Sequence, residues 1–164
     1  MRKATKLLLT IFILTGCTTS IFGQTPNFSG TWILNFEKSK LEDKTDGLTG
    51  QMFIIKQEGD KFSLQIYHIY GDKKKKIGFR MIADGKTRKV KIIFKGKLEQ
   101  KENGLQVTMW RKNYLNIVNY TFGTTQNEFI ADEVFIGRPK DHHSIWVFDR
   151  EMSQVNKEKD GSNN

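Results

Sequence analysis

The sequence predicts an all-β protein, an antiparallel up-and-down β-barrel of about eight strands. Three observations predict it. Apolar and polar residues alternate in segment after segment, which marks strands with one buried face because successive side chains point to opposite sides. Polar turns containing glycine separate these segments. No stretch carries the helical period that a crossover between parallel strands requires, so consecutive strands must run antiparallel. The 164 residues fit one domain, and 37% hydrophobic with 12% aromatic residues supply a core, which excludes a disordered chain. A single cysteine excludes an internal disulfide framework and a cysteine-based structural zinc site.

Taken in order, the chain opens with Arg2, Lys3 and Lys6 and no acid, followed by an apolar run over residues 7–14 broken only by Thr10. This is the pattern of an export signal. The run is shorter than the ~20 residues of a membrane-spanning helix, so membrane contact is expected only through a lipid anchor. Two cleavage readings stand side by side. Leu14-Thr15-Gly16-Cys17 resembles a bacterial lipobox, which would remove residues 1–16 and leave Cys17 as the lipid-bearing first residue. Ile21-Phe22-Gly23 resembles an ordinary signal-peptidase site, which would remove residues 1–23. Both imply export, to the periplasm, to the outer membrane as a lipoprotein, or into the medium. Leaving out Arg2, Lys3 and Lys6 lowers the formal charge from +9 to +6.

Residues 27–150 form the predicted barrel domain. The strand segments are 30–36, 51–57, 62–70, 77–83, 89–95, 105–109, 114–122, 128–136 and 144–150, all rich in residues that fit a pleated surface. Turn chemistry falls between them at Gly59-Asp60, Gly71-Asp72, Asp84-Gly85, Asn103-Gly104 and 123–127. Residues 37–50 read as a long first loop or a single helical turn. Residues 151–164 lack any apolar period and read as a flexible tail.

At Asn27-Phe28-Ser29-Gly30-Thr31-Trp32 the chain resembles the lipocalin (calycin) family, and in particular small exported bacterial members that continue with Leu-Asn-x-x-Lys-Ser, here Leu34 to Ser39. Gly30-x-Trp32 lies on the first strand and Arg150 follows Ile145-Trp146-Val147-Phe148-Asp149 at the end of the last. The resemblance implies that Trp32 closes one end of the barrel with Arg150 packed over it, which gives Gly30, Trp32 and Arg150 structural roles. The chain departs from the family where 138–143 leaves little room for a helix beside the final strand.

Ligand-binding candidates follow from strand phase. Phe62, Leu64, Ile66, His68 and Tyr70 share one face, as do Val90, Ile92 and Phe94, and these eight are expected to line the interior. A barrel of about eight strands is just wide enough to hold one small ligand or be filled by its own side chains. The leading expectation is therefore a small hydrophobic or amphipathic ligand such as a fatty acid, with an acidic headgroup drawn by the basic stretch that starts at Lys73. The alternative is a filled barrel that binds an envelope partner through its basic hairpins, and an enzyme comes third. Lys73 to Lys76 and the lysines from Lys86 to Lys97 also suit an edge protected against aggregation, and export argues against nucleic acid. His142 and His143 are adjacent and point to opposite sides of a strand, and no serine or cysteine sits in a Gly-x-Ser-x-Gly elbow, so no metal, cofactor or catalytic residue is assigned. Asp132 and Glu133 likewise face opposite ways, so that one of them points inward.

Overall fold

A computed structural model describes residues 26–42 and 47–152 of the chain. Ten strands follow one another: β1 (Gly30–Leu34), β2 (Gly50–Glu58), β3 (Lys61–Tyr70), β4 (Lys73–Ile82), β5 (Arg88–Lys91), β6 (Phe94–Lys101), β7 (Gly104–Arg111), β8 (Tyr114–Phe122), β9 (Glu128–Gly137) and β10 (His142–Arg150). Each pairs antiparallel with its sequence neighbours, except that β1 closes back onto β10 while β4 and β5 share no ladder. The result is an antiparallel, nearly closed barrel with a seam between β4 and β5, and there is no helix among the described residues. The segment proposed as export signal, with Cys17, and residues 153–164 of the tail lie outside the described residues.

The strand count is ten rather than about eight, and the difference comes largely from one place. Residues 89–95 are not one strand but a hairpin, with Lys91 paired to Phe94 and Ile92-Ile93 forming the turn. Two isoleucines carry none of the usual turn chemistry, so the alternation reads straight through them. The following strand β6 is equally faint in sequence: Gly96 stands where an apolar side chain would be expected, because a Cβ there would lie 2.8 Å from Val90 Cγ2 and 3.0 Å from the Thr108 carbonyl. The lysines Lys73 to Lys76 are the first residues of β4 rather than a hairpin tip, and all four are exposed beside the seam. Charged side chains on an unpaired edge discourage pairing with other chains.

One end of the barrel is packed solid. Phe28, Trp32, Phe129 and Phe148 are fully buried, and Phe129 stacks on Tyr120 with ring centroids 5.3 Å apart. Trp32 and Arg150 are opposed in the β1–β10 ladder, and the guanidinium carbon lies 4.1 Å from the centroid of the indole. Arg150 also donates through Nη1 to the Ser29 carbonyl at 2.9 Å, while Trp32 Nε1 donates to the Phe28 carbonyl at 2.9 Å. Gly30 is required here: its φ is +146°, and a Cβ would stand 2.5 Å from Arg150 Nη1.

Beyond β1 the Leu34 to Ser39 motif seals the chain against β10. Asn35 Nδ2 donates to Asp149 at 2.6 Å, and Lys38 Nζ lies 2.9 Å from both Asp149 and Glu128. Hydrogen bonds from Asn35 and Lys38 hold the Asp149 carboxyl below its ordinary range. Lys40 then exchanges two 2.8 Å backbone hydrogen bonds with Ile145, and the Glu42 N–H donates to Ser144 Oγ at 3.1 Å. This segment occupies the backbone groups of β10 that the five-residue β1 cannot reach.

Candidate functional site

Above the aromatic plug the strands diverge around a cavity of about 370 Å³. Its apolar wall comes from Phe53 on β2, Ile66 on β3, Phe79 on β4, Met109 on β7 and Trp146 on β10, and Glu42, Pro139, Lys140 and His142 stand at its mouth. A second space of about 220 Å³ shares Ile66, Phe79, Met109 and Tyr114 with it and reaches Val90, Lys91 and Phe94 at the seam. Register explains the convergence: Phe53 pairs with Ile66, and Ile66 with Ile77, so one phase of three neighbouring strands faces inward together. A cavity of this size falls at the lower end of small-molecule sites. A larger depression, about 770 Å³, lies at the β7–β8 turn against Gly137 to Asp141, and it is open to solvent.

The polar groups of the interior form two sets. Glu133 accepts from Trp146 Nε1 at 2.8 Å and from Asn116 Nδ2 at 2.6 Å, tying β8, β9 and β10 together across the cavity wall. Opposite, Gln51 Nε2 donates to His68 Nδ1 at 3.2 Å, linking β2 to β3. The side-chain oxygens of Gln51 and Asn116 are buried without a protein partner. Leaving a buried acceptor unpaired costs roughly 1–3 kcal/mol, so both oxygens are packed inside the wall at a cost, and the Asn116 amide lies beside the Tyr114 phenol. Burial, then the charge of Lys75, holds the His68 imidazole below its ordinary pKa, and burial raises the Tyr114 and Tyr120 phenols.

The structure distributes the sequence-predicted residues unevenly. Ile66 and His68 line the cavity. Phe62 and Leu64 are on the same face of β3 but are buried in the packed core below it. Tyr70 ends the strand, 37% exposed, with its ring 6.4 Å from that of His68. Val90 and Phe94 sit at the seam space rather than in the main cavity. Ile92 does not face the interior at all: it is 88% exposed at the β5–β6 turn, where the strand phase is lost. Of the acidic pair, Glu133 is the inward residue, and Asp132 faces out to His143 Nε2 at 2.6 Å. Asp141 accepts from the Gly137 N–H at 2.8 Å.

Sequence reasoning missed Gln51, Asn116 and Trp146. Each shares a phase with apolar residues on its own strand, as in Gln51-x-Phe53-x-Ile55 and Asn116-x-Val118-x-Tyr120. A polar residue in the apolar phase of a strand is the pattern that marks such groups, since burying one without purpose is costly.

No protein-family model matches the chain, and no curated protein matches it. Solved structures do match in fold. Zebrafish ileal bile acid-binding protein in complex with cholic acid superposes with a TM-score of 0.53 at 13% identity, covering 76% of this chain and 98% of that one. Fatty-acid-binding protein 1 of Echinococcus granulosus gives 0.53 at 14% identity, with 76% and 98% covered. The wild-type fluorescent protein UnaG gives 0.53 at 13% identity, with 76% and 97% covered. The chain thus shares the antiparallel β-barrel fold of these proteins, and the resemblance read from the sequence is supported at the level of that fold alone.

Proposed function

We propose that the protein is an exported barrel that holds one small hydrophobic or amphipathic molecule in its interior and carries it without transforming it. The observation that carries this reading is the 370 Å³ cavity above the aromatic plug, walled by Phe53, Ile66, Phe79, Met109 and Trp146 and reaching the surface at the mouth. A barrel that served only as a scaffold gains nothing from such a space, because unfilled apolar volume forfeits packing contacts. The reading draws support from neighbours of like fold named as fatty-acid- and bile-acid-binding proteins. Binding rather than catalysis suits the interior carboxyl, since both Glu133 oxygens are engaged in bracing the wall. Export follows from the basic-then-apolar opening of the sequence, and a bacterial lipid anchor from Cys17 at the end of the apolar run.

The test is titration with a neutral environment-sensitive apolar probe, comparing wild type with Ile66→Trp, which places a large side chain in the cavity. Saturable one-to-one binding that weakens in the variant is expected. Equal binding in both, or none to the folded protein, favours a partner-binding barrel instead. In a bacterial host, labelled fatty acid should enter the protein and be absent from Cys17→Ala; a mature chain starting at Gln24 excludes the anchor.

A further inference from the structure

We propose that the mouth end of the barrel docks onto an anionic phospholipid surface, with the Ile92-Ile93 turn inserted among the acyl chains and a ring of lysines and arginines on the headgroups. This is a second mode of membrane contact beside the lipid anchor expected from the sequence, and it does not depend on what the interior holds. Two branched aliphatic side chains form the tip of the β5–β6 hairpin, Ile92 88% and Ile93 57% exposed. Such a turn needs neither of them: polar side chains and glycine make tight turns, and an exposed isoleucine forgoes the gain that its removal from water brings. Lys91 and Lys95 flank the pair, and both are exposed.

The fold places this tip among further cations. Alternate turns of an up-and-down barrel share an end, and the β3–β4, β5–β6, β7–β8 and β9–β10 turns lie at the end where the cavity opens. Lys95 pairs with Trp110, Arg111 with Tyr114 and Tyr114 with Gly137, which sets three of these turns side by side. The β7–β8 turn presents Arg111 and Lys112, the β9–β10 turn Arg138 and Lys140, and the β3–β4 turn leads into Lys73 to Lys76, all exposed. Among the described residues none of these cations is in an ion pair. Against them stand Asp72, Asp141 and, at the mouth, Glu42; Asp141 accepts from the Gly137 N–H at 2.8 Å and Glu42 from the His143 N–H at 3.0 Å. The opposite end differs, since its turns mix Glu58, Asp60, Asp84 and Glu102 with their cations, and Arg88 is held by Asp84 at 2.6 Å. Charge therefore commits the mouth end to an anionic partner, and the isoleucines decide which. A soluble polyanion offers charge but no apolar medium for Ile92 and Ile93, whereas an anionic bilayer offers both.

The experiment is co-sedimentation of the exported chain, carrying Cys17→Ala so that no fatty acid contributes, with vesicles of phosphatidylcholine alone or mixed with phosphatidylglycerol. Binding to the anionic vesicles should be about tenfold or more tighter, and high salt should weaken it. Ile92→Ser combined with Ile93→Ser keeps every charge and should lose about tenfold or more on the same vesicles, because no aliphatic tip enters the bilayer. Cys17 is the only cysteine, so Ile92→Cys and, at the opposite end, Glu102→Cys, each added to Cys17→Ala, take a single polarity-sensitive thiol label. On anionic vesicles only the label at position 92 should report transfer into an apolar medium. No preference for the anionic vesicles, an unchanged affinity in the folded serine variant, or a response from position 102 overturns the proposal. Two other outcomes overturn it as well: heparin binding with no binding to anionic vesicles assigns the ring to a soluble polyanion, and a dimer that the serine variant dissociates, with no vesicle binding, assigns the isoleucines to a second copy. If the serine variant fails to fold, the contrast between the two labels still decides.

Discussion

Replacing Arg150 by alanine removes a guanidinium that packs over Trp32 and ties β10 to the chain before β1 and to the β8–β9 turn. Three contacts disappear: the cation–π contact at 4.1 Å, the 2.9 Å hydrogen bond to the Ser29 carbonyl and the 3.3 Å hydrogen bond to the Gln126 carbonyl. A cation over an indole is worth about 0.5–2 kcal/mol, and one charge-assisted hydrogen bond about 1.5 kcal/mol. The longer bond to Gln126 is exposed and water replaces it at little cost. Arg150 is only half-buried, and burial itself lowers its pKa, so part of the gain is spent on desolvation. The expected loss is about 2 kcal/mol. Trp32→Ala empties a fully buried site in the aromatic plug and should cost about 3–5 kcal/mol. Because the cation–π contact is lost in either variant, the two losses should not add, and the double mutant should fall short of their sum by about 1 kcal/mol. Urea denaturation followed by far-ultraviolet circular dichroism, with m-values held equal, measures all four corners of this cycle. Coupling below about 0.3 kcal/mol, or a Trp32→Ala loss below about 1 kcal/mol, refutes the closure.

Two further perturbations probe the walls. At Gly104 a Cβ would collide with the backbone carbonyl of Tyr120, so Gly104→Ala must push β7 from β8 and should cost at least about 1–3 kcal/mol by the same denaturation assay; an unchanged midpoint contradicts the register. The folded state holds the His68 proton less tightly than the unfolded chain does, whose pKa is near 6.5. Its stabilising contribution is therefore complete above that value and is lost as pH falls below it, until the folded imidazole also protonates, with a slope of at most about 1.4 kcal/mol per pH unit. His68→Gln should flatten stability as pH falls below about 6.5, and an identical slope in both proteins contradicts the partial burial of the ring.

Strand phase carried most of the fold into view. The alternation of Phe62, Leu64, Ile66 and His68 and the turns at Gly59 and Gly71 are local patterns, and each is found where the residues alone place it. What could not be read is whatever depends on position along the barrel axis. Phe62 and Ile66 have the same phase and the same chemistry, yet one is core and the other cavity wall, because the aromatic plug fills only the end where Phe28 and Trp32 enter. The Ile92-Ile93 turn was hidden because its residues suit a strand interior, and it carried the phase error that put Ile92 on the inside. The polar set was legible only as an irregularity. Gln51, Asn116 and Glu133 interrupt apolar phases on three strands, and only the pairing of β8 with β9, and the return of β10 beside β9, brings Asn116, Glu133 and Trp146 together. Asn35 and Lys38 belong to a recognisable motif, but their partners Asp149 and Glu128 lie at the far end of the chain.

The three tryptophans report from three different places, and their indole N–H resonances test interior binding most directly. Trp146 Nε1 faces Glu133 in the cavity wall, Trp32 Nε1 is bonded to Phe28 in the packed end, and Trp110 borders the open outer depression. In a heteronuclear NMR titration with decan-1-ol, the Trp146 indole peak should shift and saturate at one equivalent while those of Trp32 and Trp110 stay nearly still. A saturating shift of Trp110 with Trp146 unmoved would place binding on the outer surface and contradict a ligand held inside the barrel.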